Sequence, residues 1–471
     1  MSRMSVRADR GRADDGDRES HGRTVVRHSL MTFGTRMGIV LVNIPTSILI
    51  ARLLGTDGQG TYASAVAFPT MFAFIGLLGI DSAHTYLLSR RRYPLSQINA
   101  QSLILTLVFS AIIVPLYLLF LEHYDGASDP ALRSILTMGV FLVPILLAKY
   151  FAIALFLGLQ RIRWFNGANF IQAATLLGFM CVNLFVVKGG AAGALVAYMA
   201  SEVLVVAIGV GAAVRGARSG SPSGGTDDRT LPGVILSKPS FGLLRRSLVY
   251  GLQGHVGNIL TQFTYRFDMF LVLSMVGLKG QGLYSISVIM AEKLSHIPQS
   301  VQVVLFPKLS SMTVEEANEL TPRVMRSSLL LTALAGAVLY LLSGPLLVLF
   351  YTVEFAPALS AFRILIPGIV ALSVAKILSS DFSGRDKRIY QTAATAIAFG
   401  VNVVLCFVWI PRYGIEGAAW ASTAAYTLQS GIMVVLFRKL SGRGVSESLI
   451  VRGEDLALYG RTLRRLVRRG D

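Results

Sequence analysis

The run Gly55-Thr56-Asp57-Gly58-Gln59-Gly60-Thr61-Tyr62 returns as Gly277-Leu278-Lys279-Gly280-Gln281-Gly282-Leu283-Tyr284, 222 residues further along. Each copy separates two long apolar segments, so the repeated unit is a helix, a glycine turn and a helix inside something larger. The far end of that unit repeats as well. Lys188-Gly189-Gly190-Ala191-Ala192-Gly193-Ala194 is answered by Arg412-Tyr413-Gly414-Ile415-Glu416-Gly417-Ala418 at an offset of 224. The repeat therefore covers about six helices per half, and a membrane transporter built from two similar halves is the first reading. Because six is even, the second half enters the bilayer from the same face as the first, which makes the halves parallel repeats.

Composition points to the same class. The chain has 471 residues, of which 53% are hydrophobic and 15% charged, with a mean hydropathy of +0.59. That is too little polar surface to cover a soluble globule of this size, so lipid must supply most of the solvent. Apolar stretches long enough to cross about 30 Å of hydrocarbon are predicted at 29–51, 62–88, 98–121, 134–157, 165–187 and 192–214. Six more follow at 247–276, 283–306, 327–351, 357–380, 389–410 and 415–437. The segments are continuous rather than alternating, which favours an all-α membrane protein of about twelve helices over a β-barrel.

The formal charge of +18 invites a nucleic-acid reading, but the distribution of basic residues argues against it. If the amino terminus is cytoplasmic, 33 of the 44 Lys and Arg fall in the tails and inward loops, and the outward loops hold only Arg52, Arg133, Lys188, Lys279 and Arg412. This is the positive-inside asymmetry of a multi-pass protein with both termini in the cytoplasm. The expected layout is a disordered tail at 1–28, a six-helix bundle at 29–214, a cytoplasmic linker at 215–244 rich in Gly, Ser, Pro and Asp, a second bundle at 245–437, and a basic tail at 438–471. In that tail Leu456, Tyr459, Leu463, Leu466 and Val467 keep helical spacing among arginines, which predicts a short amphipathic helix on an anionic membrane surface.

Two features carry less than they suggest. Gly55-x-x-Gly58-x-Gly60 superficially matches a phosphate-binding loop, but such loops follow a β-strand in a soluble βαβ unit, and here the flanks are membrane helices. A tight turn is the better reading. Cys181 and Cys406 lie in the middle of apolar spans, where packing is their expected role. No His, Cys or carboxylate spacing fits a metal site, and no cofactor is expected.

The polar residues inside the spans sort onto faces. Ser29, Thr32, Arg36, Asn43 and Ser47 fall within about 60° of one another on the first helix, and His255, Asn258, Gln262 and Arg266 within about 80° on the seventh. The repeat offset sets Asn258 against Arg36, so both stripes are expected at the interface between halves, lining water or substrate. Lys149 and Lys293 lie deep in the fourth and eighth spans and need a partner or a wet cavity; a bound diphosphate would keep them charged. The expected cavity set is thus Arg36, Asn43, Lys149, His255, Asn258, Gln262, Arg266 and Lys293. The rival for each lysine is an intramembrane ion pair. Asp268, Glu292 and His296 are candidates for proton or cation coupling. Arg363 and Lys376, near the ends of the tenth span, are expected to snorkel to the headgroups.

The stretch Tyr265-Arg266-Phe267-Asp268-Met269-Phe270-Leu271, followed by Gly282-Leu283-Tyr284-Ser285, Ala291-Glu292-Lys293, Ile297-Pro298 and Leu305-Phe306-Pro307-Lys308-Leu309-Ser310, resembles the polysaccharide flippases of the multidrug/oligosaccharidyl-lipid/polysaccharide exporter superfamily. Ala51 to Tyr62 resembles the first-hairpin signature of the same family. The resemblance implies two six-helix bundles around a central cavity in the bacterial inner membrane. It also implies export of a polyprenyl-diphosphate-linked glycan from inner to outer leaflet by alternating access, with membrane lipids and other polysaccharide-assembly membrane proteins as partners and no nucleic acid. The alternatives are a lipid II flippase and a drug or metabolite antiporter of the same superfamily. A membrane-embedded polysaccharide enzyme is a weaker one, because the longest outward loop, from about Glu122 to Ser134, is too short to gather a catalytic site.

Overall fold

The computed structural model describes residues 2–90, 92–218 and 240–450, all helix, turn or coil. Helix α1 spans Ser2–Gly76, ahead of the expected start at Ser29, and is broken at Gly55 (φ 66°, ψ −172°). The break is needed: the apolar part alone, Gly34–Gly76, would run about 65 Å if straight, twice the thickness of the hydrocarbon core. Gly277 adopts nearly the same conformation (φ 89°, ψ −176°) between α8 and α9, so the backbone repeats with the sequence. Only a residue without Cβ takes this geometry at little cost.

Leu77 to Gly79 interrupt the second span before α2 (Ile80–Ser89), and α3 (Leu95–Glu122), α4 (Pro130–Met138), α5 (Leu142–Gly158), α6 (Ile162–Cys181, extended by a π turn to Val187) and α7 (Gly190–Arg218) complete the first half. The second half holds α8 (Phe241–Val276), α9 (Leu278–Glu292), α10 (His296–Ser311), α11 (Val314–Tyr351), α12 (Ala358–Gly384), α13 (Arg388–Tyr413), α14 (Ile415–Ser441) and the short α15 (Val445–Leu449). Each of the twelve expected spans falls on these segments. The proposed amphipathic stretch at Leu456–Val467 and most of the 215–244 linker lie outside the described residues.

Among the described residues eight helices are long and apolar enough to cross a membrane. The helices that fall short include α8, which carries His255, Asn258, Gln262 and Arg266, as well as α9 and α10. Lipid-facing surfaces are plain where they occur: Ile104, Leu107, Val108, Ile112, Leu116 and Leu119 make an exposed apolar stripe along α3, at the spacing of one helix face.

The halves exchange packing surfaces. Phe270 and Leu273 of α8 belong to the first-half core, where Phe270 stacks on Phe68 with ring centroids 4.0 Å apart. Ala51 of α1 belongs in turn to the core of the second half. Two glycine crossings set how closely the halves approach. A Cβ on Gly282 would lie 1.9 Å from the Thr56 carbonyl oxygen, and one on Gly60 2.2 Å from that of Leu278; a Cβ on Gly79 would lie 2.4 Å from the Gly251 oxygen. The repeated Gly-x-Gly is therefore a contact as well as a turn, since only glycine lets two backbones come this near.

Candidate functional site

A polar pocket of about 330 Å³ sits in the second half, lined among others by Gln262, Arg266, Glu292, Lys293, His296 and Lys376. Helix α8 supplies the first two from the polar face read in the sequence. Helix α9 ends at Glu292, and a 3-10 turn over Lys293–Ser295 leads into α10. At about 120° per residue this tighter turn sets Lys293 and His296, three positions apart, over one another, and both line the pocket together with Glu292. Arg266 donates from one guanidinium nitrogen to Glu292 Oε2 at 3.1 Å, with both side chains about one-third exposed. The Lys376 ammonium lies 5.8 Å above the Tyr265 ring. That ring meets Tyr426 edge-on, centroids 5.8 Å apart. Arg36 of α1 is not among the residues that line the pocket. Three cations against one carboxylate, with tyrosine rings beside them, suit an anionic group with an organic neighbour.

One end of the interface between halves is latched. The Thr56 hydroxyl donates to Glu354 Oε1 at 2.6 Å and its backbone N–H to the same oxygen at 3.3 Å. These bonds hold the exposed Glu354 carboxyl below its ordinary pKa. Arg52 caps the last carbonyls of α11, donating to Phe350 O at 2.9 Å and also to Leu349 O. Ser47 and the Tyr351 hydroxyl are hydrogen-bonded at 3.0 Å. Within the same seam Gln59 Nε2 donates to Ser285 Oγ at 3.1 Å.

Of the eight expected cavity residues, the structure brings Gln262, Arg266 and Lys293 into the pocket. Arg36 and Asn43 stay half-buried on α1 and make no side-chain hydrogen bond among the described residues. Other members of their stripe do structural work: Thr32 accepts from Asn166 at 3.0 Å. Asn258 is exposed. His255 is buried, donates to the Ile75 carbonyl at 3.3 Å and stacks near Phe74, so it fixes the end of α1 rather than lining the pocket. Lys149 is given to an ion pair instead: its Nζ lies 2.8 Å from Glu202 Oε2, and the two side chains are 16% and 1% exposed. The buried partner on α7 compensates the charge of Lys149 in this arrangement.

The coupling candidates divide. Glu292 and His296 face the pocket. Asp268 is buried away from it, accepting from Tyr284 and from Ser422, the latter at 2.8 Å; that is a packing network between α8, α9 and α14.

Sequence reasoning missed Lys376, Tyr265, Tyr426 and Glu202. Lys376 was read as four residues from a span end, but α12 runs on to Gly384, which puts it about 12 Å from the helix terminus. In that last part of the helix Asp381, deep in the protein, is paired with Arg385 at 2.7 Å and accepts from the Thr321 hydroxyl at 2.7 Å. A charged residue followed four positions later by its opposite was the available signal. A larger cavity of about 770 Å³, lined by Trp409, Trp420, Thr427 and Leu428 among others, lies on α13 and α14; its walls carry no charged group and nothing there reads a headgroup.

A family model described as "Polysaccharide biosynthesis protein" matches residues 25–313, and one described as "Lipid II flippase MurJ" matches residues 280–454. The "Putative O-antigen transporter" of Shigella flexneri is 20% identical over 418 residues, covering 85% of this chain and 94% of its own length. Among solved structures, the inward-facing conformation of a multidrug resistance MATE family transporter of the MOP superfamily superposes with a TM-score of 0.68 at 15% identity, over 88% of this chain and 98% of the other. Lipid II flippase MurJ in its inward closed conformation superposes at 0.61 and 13% identity, over 88% and 90%. These likenesses give the fold, that of multi-pass transporters built wholly of helices. Matched over more than half of its length, the chain belongs to the polysaccharide biosynthesis protein family.

Proposed function

We propose that this protein is a flippase that carries a polyprenyl-diphosphate-linked oligosaccharide from the inner to the outer leaflet of the bacterial inner membrane. The observation that carries the reading is the pocket: Arg266, Lys293 and Lys376 face one space, against Glu292 as its carboxylate. In a low-dielectric setting such a surplus of positive charge is costly unless an anion arrives to share it. A diphosphate supplies that anion, and its oxygens match the planar fork of Arg266. Tyr265 and Tyr426 would take the apolar face of the first sugar, while the polyprenyl chain stays in lipid.

Transport by alternating access then uses the latched seam. With the positive-inside topology, the Gly60–Gly282 crossing and the Thr56–Glu354 bond lie at the extracytoplasmic side. They close that side while the pocket loads, and rocking of the halves opens it. Both termini are cytoplasmic on this topology, and the work is transport without catalysis.

The match of the second half to a lipid II flippase model favours peptidoglycan precursor as a second cargo class. It has the same diphosphate chemistry. A cationic-drug antiporter fits poorly, because the pocket would repel its cargo. The deciding experiment is depletion of the protein followed by mass spectrometry of membrane lipids. Accumulation of a lipid-linked oligosaccharide at the inner leaflet supports the first reading, accumulation of lipid II alone supports the second, and an unchanged lipid-linked pool defeats both.

A further inference from the structure

We propose that Glu292 is the resident counter-ion of the empty pocket, and that the cargo anion must displace it from Arg266 in order to bind. The inference rests on the flippase reading above and concerns how that pocket lets go of its cargo. Arg266 presents five donors in a planar fork, yet the structure engages it through one bond to Glu292, at 3.1 Å, with both partners about one-third exposed. A single-point pair leaves most of the fork's donors free for another anion. A diphosphate offers two or more oxygens to the same fork and more negative charge, so it outcompetes the carboxylate for Arg266.

The groups around Glu292 give it somewhere to go. Lys293 and His296 follow it in sequence, and Lys376 of α12, Tyr265 and Tyr426 line the same pocket. Once displaced, the carboxylate remains in the pocket beside the bound anion and repels it. Glu292 therefore sets an upper limit on affinity: the empty pocket is partly neutralised and stable, and the loaded one is primed to release. Without it the pocket would hold its cargo too tightly to turn over.

The test is calorimetric titration of inorganic pyrophosphate, and separately of farnesyl diphosphate, into purified full-length protein in nanodiscs. Wild type is compared with Glu292→Gln, Arg266→Gln, Lys376→Gln and the Glu292→Gln/Arg266→Gln double variant, each first checked for an unchanged melting temperature. Removing one like charge a few ångströms from the bound anion should tighten binding by about ten-fold or more. That gain should shrink in the Arg266→Gln background, and transport by Glu292→Gln should slow although binding improves. Equal or weaker binding by a well-folded Glu292→Gln, while Arg266→Gln and Lys376→Gln lose affinity, overturns the counter-ion role and leaves the flippase reading standing. If Arg266→Gln and Lys376→Gln bind both probes as well as wild type does, the anion pocket itself fails and this inference with it. If Glu292→Gln loses its fold, Glu292→Ala and Glu292→Met serve in its place, judged by the same affinities.

Discussion

The Thr56 hydroxyl and the Glu354 carboxylate, 298 positions apart in sequence, are hydrogen-bonded at 2.6 Å. The bond ties the residue that follows the Gly55 kink to the turn after α11, so the first and second halves are joined at the point where the chain folds back. Its strength depends on the ionised carboxylate. Because Thr56 lowers the Glu354 pKa in the folded protein, the contribution is present above the ordinary glutamate value and is lost as pH falls through the lowered one. Acid should therefore loosen the latch. At pH 7 a cysteine replacing the buried Ser285 should react with a thiol reagent about two- to five-fold faster when Glu354→Gln is also present than when Glu354 is kept. Equal rates in the two backgrounds would mean that this bond does not hold the seam closed.

The glycine crossing should be far less tolerant than the latch. An alanine at Gly282 puts its Cβ 1.9 Å from the Thr56 carbonyl oxygen, and backbone must move to admit it. Transport by Gly282→Ala and Gly60→Ala should be nearly lost, with the Asp57 end of the seam more reactive to labels. Gly178→Ala, where nothing lies within 4 Å, is the control: it should keep transport and gain up to about 1 kcal/mol of helix stability. Normal transport by Gly282→Ala would mean that the halves do not close here during the cycle.

Lys376 should matter to transport as much as Arg266 does, and Lys149 should matter to folding. Lys376→Gln and Arg266→Gln are expected to abolish export at normal protein levels, with Arg266→Lys retaining part of it because the charge survives without the fork. The measurement is surface polysaccharide per unit of membrane-embedded protein. Wild-type export by well-expressed variants at both positions would remove the anion from the mechanism.

Lys149→Met leaves Glu202 buried without its partner, at a cost of about 3–5 kcal/mol. Abundance and thermal stability should fall, and Lys149→Met/Glu202→Gln should recover much of both, since no charge is then left unpaired. Transport per surviving molecule should be unchanged. A stable Lys149→Met protein with defective export would return Lys149 to the cargo path.

Topology has its own test. Cysteines at the exposed positions Asp57 and Lys279 should react with an impermeant thiol reagent in intact cells, and one at the exposed Lys387 should react only after lysis. The reverse pattern would invert the orientation inferred from charge.

The sequence by itself determined the class, an all-helical membrane protein, and marked the glycine turns at Gly55 and Gly277. These follow from properties that act along a single helix: apolar length against bilayer thickness, the 100° step that sorted Gln262 and Arg266 onto one face, and a glycine at the two positive-φ turns Gly55 and Gly277. Lys293 was legible as a buried charge in need of company. Which company each charge found was decided only by tertiary packing. Lys149 and Lys293 look alike in sequence, yet α7 brings Glu202 against the first while a 3-10 turn delivers the second to a pocket shared with Lys376. Periodicity fixes the face of a helix, whereas the neighbour that covers that face lies 53 residues away for Lys149 and 298 away for Thr56. Charge pairing depends on distance in space, and in a chain of packed helices that distance is set by crossings such as Gly60 on Gly282, which bring the backbones together before any side chain can choose its partner.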